Sequence, residues 1–271
     1  MSIRQFRPRR DPRRGVSRNK NLALAIFFLV TIALQISYPL VHGDLRTFIT
    51  ITTVYSAAAT MLLHALFSYG SRYFFTLAFV ALTFGFFIEL IGSKTGWPFG
   101  TYKYSHSLGL AISGVPLVVP FAWLMMLHPV LIAARKVTST WTFLYGGLLL
   151  MAWDLFLDPQ MVSAGRWSWK MVGPQLAFEK GVPLSNSAGW LLSGLAAIGL
   201  LNVLLPKERR KFGSNSTIPD LFLGWTLFAG VVGNIFFFDN VALGIFGGLI
   251  MSLVLAPYFF TLLFGKPDSF N

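Results

Sequence analysis

Apolar stretches about 20 residues long recur along the whole chain, and a helix of that length crosses the roughly 30 Å hydrocarbon layer of a bilayer. Candidate spans fall at Leu22–Val41, Phe48–Phe67, Tyr73–Ile91, Val115–Ala133, Trp141–Leu157, Ala188–Leu205, Ile218–Phe238 and Val241–Phe264. The 271 residues are 55% hydrophobic and 12% charged, where a soluble globular chain carries about 25% charged residues. The expected fold is therefore all-α, a polytopic membrane bundle of about eight transmembrane helices. Residues 1–20 hold eight Arg/Lys and several Pro without apolar periodicity, and are expected to form a disordered basic cytoplasmic tail. The apolar run after them is long enough to stay in the membrane, unlike a signal peptide. Residues 21–266 form a single transmembrane domain.

Eight spans with a cytoplasmic N-terminus give a testable charge pattern. The inner pieces are the tail, Arg72, Arg135, Lys136, Lys207, Arg209, Arg210, Lys211 and Lys266, which hold 16 of the 22 basic residues. The outer pieces hold six: Arg46, Lys94, Lys103, Arg166, Lys170 and Lys180. That split obeys the positive-inside rule and puts both termini in the cytoplasm, whereas seven spans would put Lys207–Lys211 outside. The net charge of +12 follows from topology and anionic headgroups, so a membrane-lipid partner is expected and a nucleic acid is not.

Within this topology the third to sixth spans form two parallel helical hairpins, an internal repeat. Each ends its first helix near an acidic residue, passes a Trp/Tyr-rich outer loop and re-enters at Gly-Val-Pro-Leu, at Gly114–Leu117 and again at Gly181–Leu184. A re-entry turn explains the tetrapeptide, because Pro is tolerated in a helix's first turn and Gly lets the incoming chain bend. It does not explain the carboxylates. A charged side chain at mid-bilayer costs about 2.5–3.5 kcal/mol even on lenient scales, so such residues face a bundle interior or a wet cavity. Glu89 and Asp154 lie about 20–24 Å from the inner end of their spans at 1.5 Å per residue, which places both near the outer surface. Asp154 and Asp158 are four residues apart and share a helix face, although Asp158 precedes Pro159 and could simply end the helix.

Asn186 follows the second Gly-Val-Pro-Leu and Asn234 lies in the outer half of the seventh span; either can orient a water or a carboxyl group, or bridge helices. Asp220 reads as a cap in Thr217-Ile-Pro-Asp220, and Asp239-Asn240 as a tight turn. The rings of Trp97, Phe99, Tyr102, Tyr104, Trp167, Trp169 and Trp190 fall at one membrane level. They read as an interfacial belt or as a ring-lined cavity in which a carbocation is stabilised by about 0.5–2 kcal/mol per ring face. With no Cys, thiolate metal sites and disulfides are excluded. His42, His64, His106 and His128 are scattered without a His-x-x-x-His pair, which argues against di-iron chemistry. No Gly-x-Gly-x-x-Gly opens a helix after a strand, which argues against an integral nucleotide cofactor. Carboxylates, aromatics and amides remain: a kit for proton-driven chemistry without metal or cofactor.

At these residues the chain resembles the membrane carotenoid-biosynthesis family that contains the CruF-type carotenoid 1,2-hydratases and the bisanhydrobacterioruberin hydratases. The matching stretches are Glu89-Leu-Ile-Gly-Ser-Lys-Thr-Gly-Trp-Pro-Phe-Gly-Thr-Tyr-Lys-Tyr104, the first Gly-Val-Pro-Leu with Trp123, and Trp153-Asp-Leu-Phe-Leu-Asp158-Pro159. Gly165-Arg-Trp-Ser-Trp169 and Gly181-Val-Pro-Leu-Ser-Asn186-Ser-Ala-Gly-Trp190 complete it. The likeness covers about residues 70–205; the stretch Lys170–Lys180 lacks the tyrosine pair expected before the second Gly-Val-Pro-Leu.

The resemblance implies hydration of the terminal C1=C2 double bond of an acyclic carotenoid ψ-end, in lycopene, γ-carotene or a C50 precursor, by a multi-pass protein of the cell membrane working beside other pathway enzymes. The residues suit that reaction: a carboxylic acid kept un-ionised by its apolar surroundings protonates C2, and water captures the tertiary cation at C1. Asp154 or Glu89 is the expected acid, with its partner and Asn186 positioning the water, and with Asp158 beside them. Two other readings remain open. Asp154-x-x-x-Asp158 has the spacing of a Mg²⁺–diphosphate site, as in prenyl transfer, and isomerisation would need the same acids. Parallel repeats with mid-membrane acids also occur in transporters.

Overall fold

The structure, a computed structural model, describes residues 15–206, 210–215 and 217–265. Most of the basic tail, with Lys207, Arg209 and Lys266 of the inner set, lies outside them. Eight long helices occur among the described residues: α1 (Arg18–Ser37), α2 (Gly43–Ser68), α3 (Ser71–Thr95), α4 (Val118–Val137), α5 (Thr142–Ser163), α6 (Leu184–Leu204), α7 (Thr217–Phe236) and α8 (Val241–Phe264). Seven are long and apolar enough to cross a membrane. The exception is α5, whose interior carries Asp154, Asp158 and Pro159. It still runs from the α4 end of the bundle to the outer loops, enclosed by α4, α6 and α8. The chain is a multi-pass, all-α membrane protein.

Apolar side chains such as Phe79, Phe87, Leu253 and Leu263 point outward, as lipid-facing positions do. At the centre stands α4, buried on nearly every side and touching every helix except α1 closely.

Contacts sort the connections to two ends, as the charge pattern predicts. At one end the backbone N–H of Val16 donates to Phe212 and that of Lys211 to Ser68, while Arg135 donates to Asn202. Lys136 pairs with Asp220 at 3.1 Å, and the Tyr258 hydroxyl donates to the same carboxylate. Asp220 is thus an ion-pair partner and not the cap. The side chain of Asn215 accepts from the backbone N–H groups of Thr217 and Ile218 instead. His64 and His128, 64 positions apart in the chain, meet at this end with ring nitrogens 2.9 Å apart.

The other end is built from the aromatic loops. Strand β1 (Tyr102–Tyr104) pairs antiparallel with β4 (Trp167–Trp169), Tyr102 opposite Trp169 and Tyr104 opposite Trp167. Between them in sequence, β2 (Ala111–Ile112) pairs with β3 (Val115–Pro116). The β1–β4 ladder joins the two hairpins, α3–α4 and α5–α6.

Each Gly-Val-Pro-Leu does make a re-entry turn, with Gly114 at φ 94° and Gly181 at φ 80°, where only Gly is unstrained. Its proline stands just before the helix and not in the first turn. Pro116 lies in β3, and Pro183 is the residue before α6. Consequently α6 begins at Leu184, four residues earlier than its apolar run suggests, and Asn186 is helical. In the other direction α5 continues through Pro159 to Ser163, so Asp158 does not end it. Helices α5 and α6 approach closely where a Cβ on Gly194 would lie 2.9 Å from the Cα of Gly147, the small-residue contact by which membrane helices pack.

Candidate active site

The repeat puts one carboxyl group near the outer end of each hairpin's first helix. Glu89 lies six residues before the end of α3 and Asp158 five before the end of α5, each about 8–9 Å below the helix terminus at 1.5 Å per residue. Both are buried, and both face one cavity of about 540 Å³ bounded by α1–α7 and the aromatic loops.

Glu89 is held entirely by neutral donors. Its Oε2 accepts from the hydroxyls of Tyr102 and Tyr104, each at 2.5 Å, and its Oε1 accepts from Trp123 Nε1 at 2.8 Å. Burial first, and then the Glu89 charge, push the ionisation of both tyrosines upward, so they remain protonated donors. Gly92, on α3, admits this loop: a Cβ there would stand 2.8 Å from Phe99 Cδ2 and from Tyr102 Oη. Gly189 on α6 does the same on the other side, where a Cβ would meet Phe99 Cδ1 at 2.7 Å.

Asp158 repeats the pattern with indoles and an amide. Its Oδ1 accepts from Trp167 Nε1 at 3.0 Å, and its Oδ2 from Asn186 Nδ2 at 2.5 Å and Trp190 Nε1 at 3.3 Å. The same Asn186 Nδ2 donates to Asp154 Oδ2 at 2.9 Å. Asp154 does not line the cavity. It is fully enclosed behind Asn186 and Asp158, and its Oδ1 has no hydrogen-bond partner. An amide donor therefore stands between the two aspartates of Asp-x-x-x-Asp, where a Mg²⁺–diphosphate site needs converging lone pairs. Among the described residues no group of His, Asp and Glu has the arrangement of a metal site, and the described ion pair, Lys136–Asp220, lies at the opposite end.

Of the seven expected aromatics, Phe99, Tyr102, Tyr104, Trp167, Trp169 and Trp190 line the cavity. Trp97 does not; its ring is 57% exposed at the outer surface. Asn234 donates to Gly230 O of its own helix at 2.8 Å and takes no part in the wall. Three residues without an expected role join the site. Trp123 stacks on Trp190 with centroids 4.4 Å apart, Trp153 meets Trp190 edge-on, and Glu179 is buried in the loop before α6. Glu179 accepts from Ser187 Oγ at 3.3 Å, while its Oε1 has no partner. Burial and the nearby Asp158 charge push its ionisation up to about 7.

The cavity also has a lipid side. Ile36 of α1 and Phe228 and Phe237, in and just after α7, belong to its wall, yet each is more than half exposed. On the same flank Trp225 Nε1 donates to Gln35 Oε1 at 2.6 Å and Tyr38 meets Phe238 edge-on. On this flank, between α1 and α7, wall residues of the cavity are open to the outside. The arrangement can protonate an apolar molecule from one carboxyl and hold a cation between ring faces and a second carboxyl.

Residues 47–259 match a family model described as "Carotenoid biosynthesis protein", wider than the stretch 70–205 that carries the motifs. Bisanhydrobacterioruberin hydratase of Haloarcula japonica is 35% identical over 181 residues, a match covering 62% of this chain and 59% of that protein. The chain thus matches less than two thirds of that curated relative's length. No solved structure matches.

Proposed function

The chain belongs to the carotenoid biosynthesis protein family, and from that premise we propose that it is a cofactor-independent carotenoid hydratase. It adds water across the terminal C1=C2 bond of an acyclic ψ-end, in lycopene, γ-carotene or a C50 precursor. The observation that carries this reading is that Glu89 and Asp158, from different hairpins, face the same aromatic cavity, and among the described residues neither is ion-paired with a cation. The similarity to a protein named as a hydratase supports it.

Two carboxyl groups as close as Asp154 and Asp158 hold one proton between them, because both cannot be ionised at acceptable cost. Asp158 is the member on the cavity and delivers that proton to C2. The tertiary cation at C1 is stabilised by ring faces such as Trp190 and Trp169, and by the side chain of Glu89, which its three donors hold in place. Water adds to C1, and its surplus proton passes to Glu89. When that proton returns to the aspartate pair, the balance is alkene plus water to tertiary alcohol. Asn186 fixes the aspartates and, with Trp190, keeps Asp158 turned to the cavity.

A cavity of about 540 Å³ takes an end group while the rest of the polyene stays in lipid. This reading puts the protein in the cell membrane with its basic end in the cytoplasm, receiving substrate from other enzymes of the pathway.

The test is pigment analysis in carotenoid-producing cells. Wild type should yield a product heavier by one water, without dependence on added Mg²⁺. Asp158→Asn and Glu89→Gln should each abolish the product while protein levels persist. A transporter would change no pigment mass, and full conversion by both variants would end the proposal.

A further inference from the structure

A hydratase with a greasy active site has a supply problem, since its second substrate is water. The main cavity is walled mostly by aliphatic and aromatic side chains, and bulk water entering with the polyene from the lipid flank would meet only scattered polar groups, such as Gln35, Thr50 and Gln160. A second cavity, of about 280 Å³, lies at the outer end of the bundle. Its lining is richer in polar groups, with Ser93, Lys94, Ser105, His106 and Ser113 among its walls. A volume of that size holds several waters, each with polar partners in reach.

Two residues belong to both cavities: Tyr102 and Tyr104. Their hydroxyls are the groups bonded to Glu89 Oε2. The partition between the outer pocket and the apolar chamber is therefore a pair of phenols whose polar tips end on a carboxylate of the candidate site. Ser93 stands on α3 one turn above Glu89, on the same helix face, and half-buried at the pocket wall.

We propose that this outer pocket is the water port of the enzyme, and that the Tyr102–Tyr104 pair passes water one molecule at a time to Glu89 and the cation. The inference rests on the hydratase reading. In the reacting complex a water from the pocket replaces one tyrosine bond on Glu89 Oε2, its oxygen bonds to C1, and its proton goes to Glu89. Admission past two hydroxyls, and not through an open channel, keeps the chamber dry enough for the cation to form before it is quenched. Polyene and water then enter from different sides, one through the flank between α1 and α7 and the other from the outer face.

A port makes a prediction that a structural pocket does not. The cation at C1 has two fates: capture by water, giving alcohol, or loss of a proton, regenerating alkene. In D₂O the second fate leaves deuterium in recovered substrate. Ser93→Leu fills the outer pocket one turn above Glu89, and Ala111→Phe fills it from an exposed position on β2. Ser93→Ala leaves the space open. With protein in vesicles and D₂O outside, both filling variants should lower alcohol formation about tenfold or more while deuterium in recovered alkene rises. Ser93→Ala, which removes one hydroxyl but keeps the space, should retain far more hydration than Ser93→Leu. If alcohol and deuterium incorporation fall together, or the filled variants hydrate at the wild-type rate, the port is overturned. If wild type gives neither alcohol nor deuterium exchange, it is the hydratase reading that fails.

Discussion

Trp123 and Trp190 each lie seven residues after the proline of their own Gly-Val-Pro-Leu. They stack with centroids 4.4 Å apart and an interplanar angle of 12°, and each donates its indole N–H to the acid of its own hairpin. Trp123 bonds Glu89 at 2.8 Å and Trp190 bonds Asp158 at 3.3 Å. The stack is thus the seam of the repeat, and it identifies Asp158, not Asp154, as the counterpart of Glu89.

Replacing either indole by phenyl keeps much of the ring and removes the donor. A hydrogen bond to a charged group contributes about 1.5–3 kcal/mol, so Trp123→Phe should lower hydration roughly 10- to 100-fold. Trp190→Phe should cost less, because its bond is longer and Asp158 keeps Trp167 and Asn186. Initial rates of alcohol formation in membranes check the order; a larger loss in Trp190→Phe would contradict it.

Asn186 is the one amide shared by Asp154 and Asp158. Asn186→Leu leaves two buried carboxyls short of a donor and should destabilise the protein by about 2–4 kcal/mol. Asn186→Asp adds a third acid and should be worse. Thermal unfolding in detergent, with expression level as a second readout, measures both.

The contact of α5 with α6 needs glycine at positions 147 and 194. A Cβ at Gly147 would stand 3.0 Å from the backbone N of Leu195, and one at Gly194 would stand 2.9 Å from Gly147 Cα. Backbone cannot give way as a flexible side chain can, so Gly194→Ala should cost about 1–3 kcal/mol. Gly199→Ala, where the nearest atom is 3.7 Å away, is the matched control and should be neutral or slightly stabilising in the thermal-unfolding comparison.

Glu179 sits in the outer loop, and its ionisation is raised from 4.5 to about 7. A carboxyl group that binds its proton more tightly when folded supports the fold most at low pH and loses that support as pH rises through the folded value. Stability should therefore fall between about pH 4.5 and pH 7, by an amount on the order of 3 kcal/mol. Glu179→Gln should flatten this part of the curve. Thermal midpoints across that range decide it; an unchanged slope would place the dependence elsewhere.

Much of this architecture was legible in the sequence because its signals are local. Apolar runs give the helices, basic residues sort their connections, and the repeated tetrapeptide marks the re-entry turns. What stayed hidden depends on distant partners. Three-residue strands in loops more than 60 positions apart carry no periodicity, so the β1–β4 pairing had no signature. Pro159 looked like a stop, but α5 tolerates the lost N–H, and that places Asp158 on the cavity. Glu179 carries no local signal of burial, and it is buried where its loop folds back onto Ser187. The meeting of His64 with His128 likewise arises from packing of α2 on α4. Six of the seven aromatics singled out by type and level line one cavity, whereas the ring of Trp97 is exposed and suits the interfacial belt.

The β1–β4 ladder ties two hairpins whose covalent link, residues 138–141, runs at the far end of the bundle. Each half is therefore stitched to the other at both extremities, once by peptide and once by a strand ladder with its facing rings. A nick at that short link would leave the ladder's end to hold the halves in register, whereas losing the ladder would let the two acids drift apart in an unbroken chain.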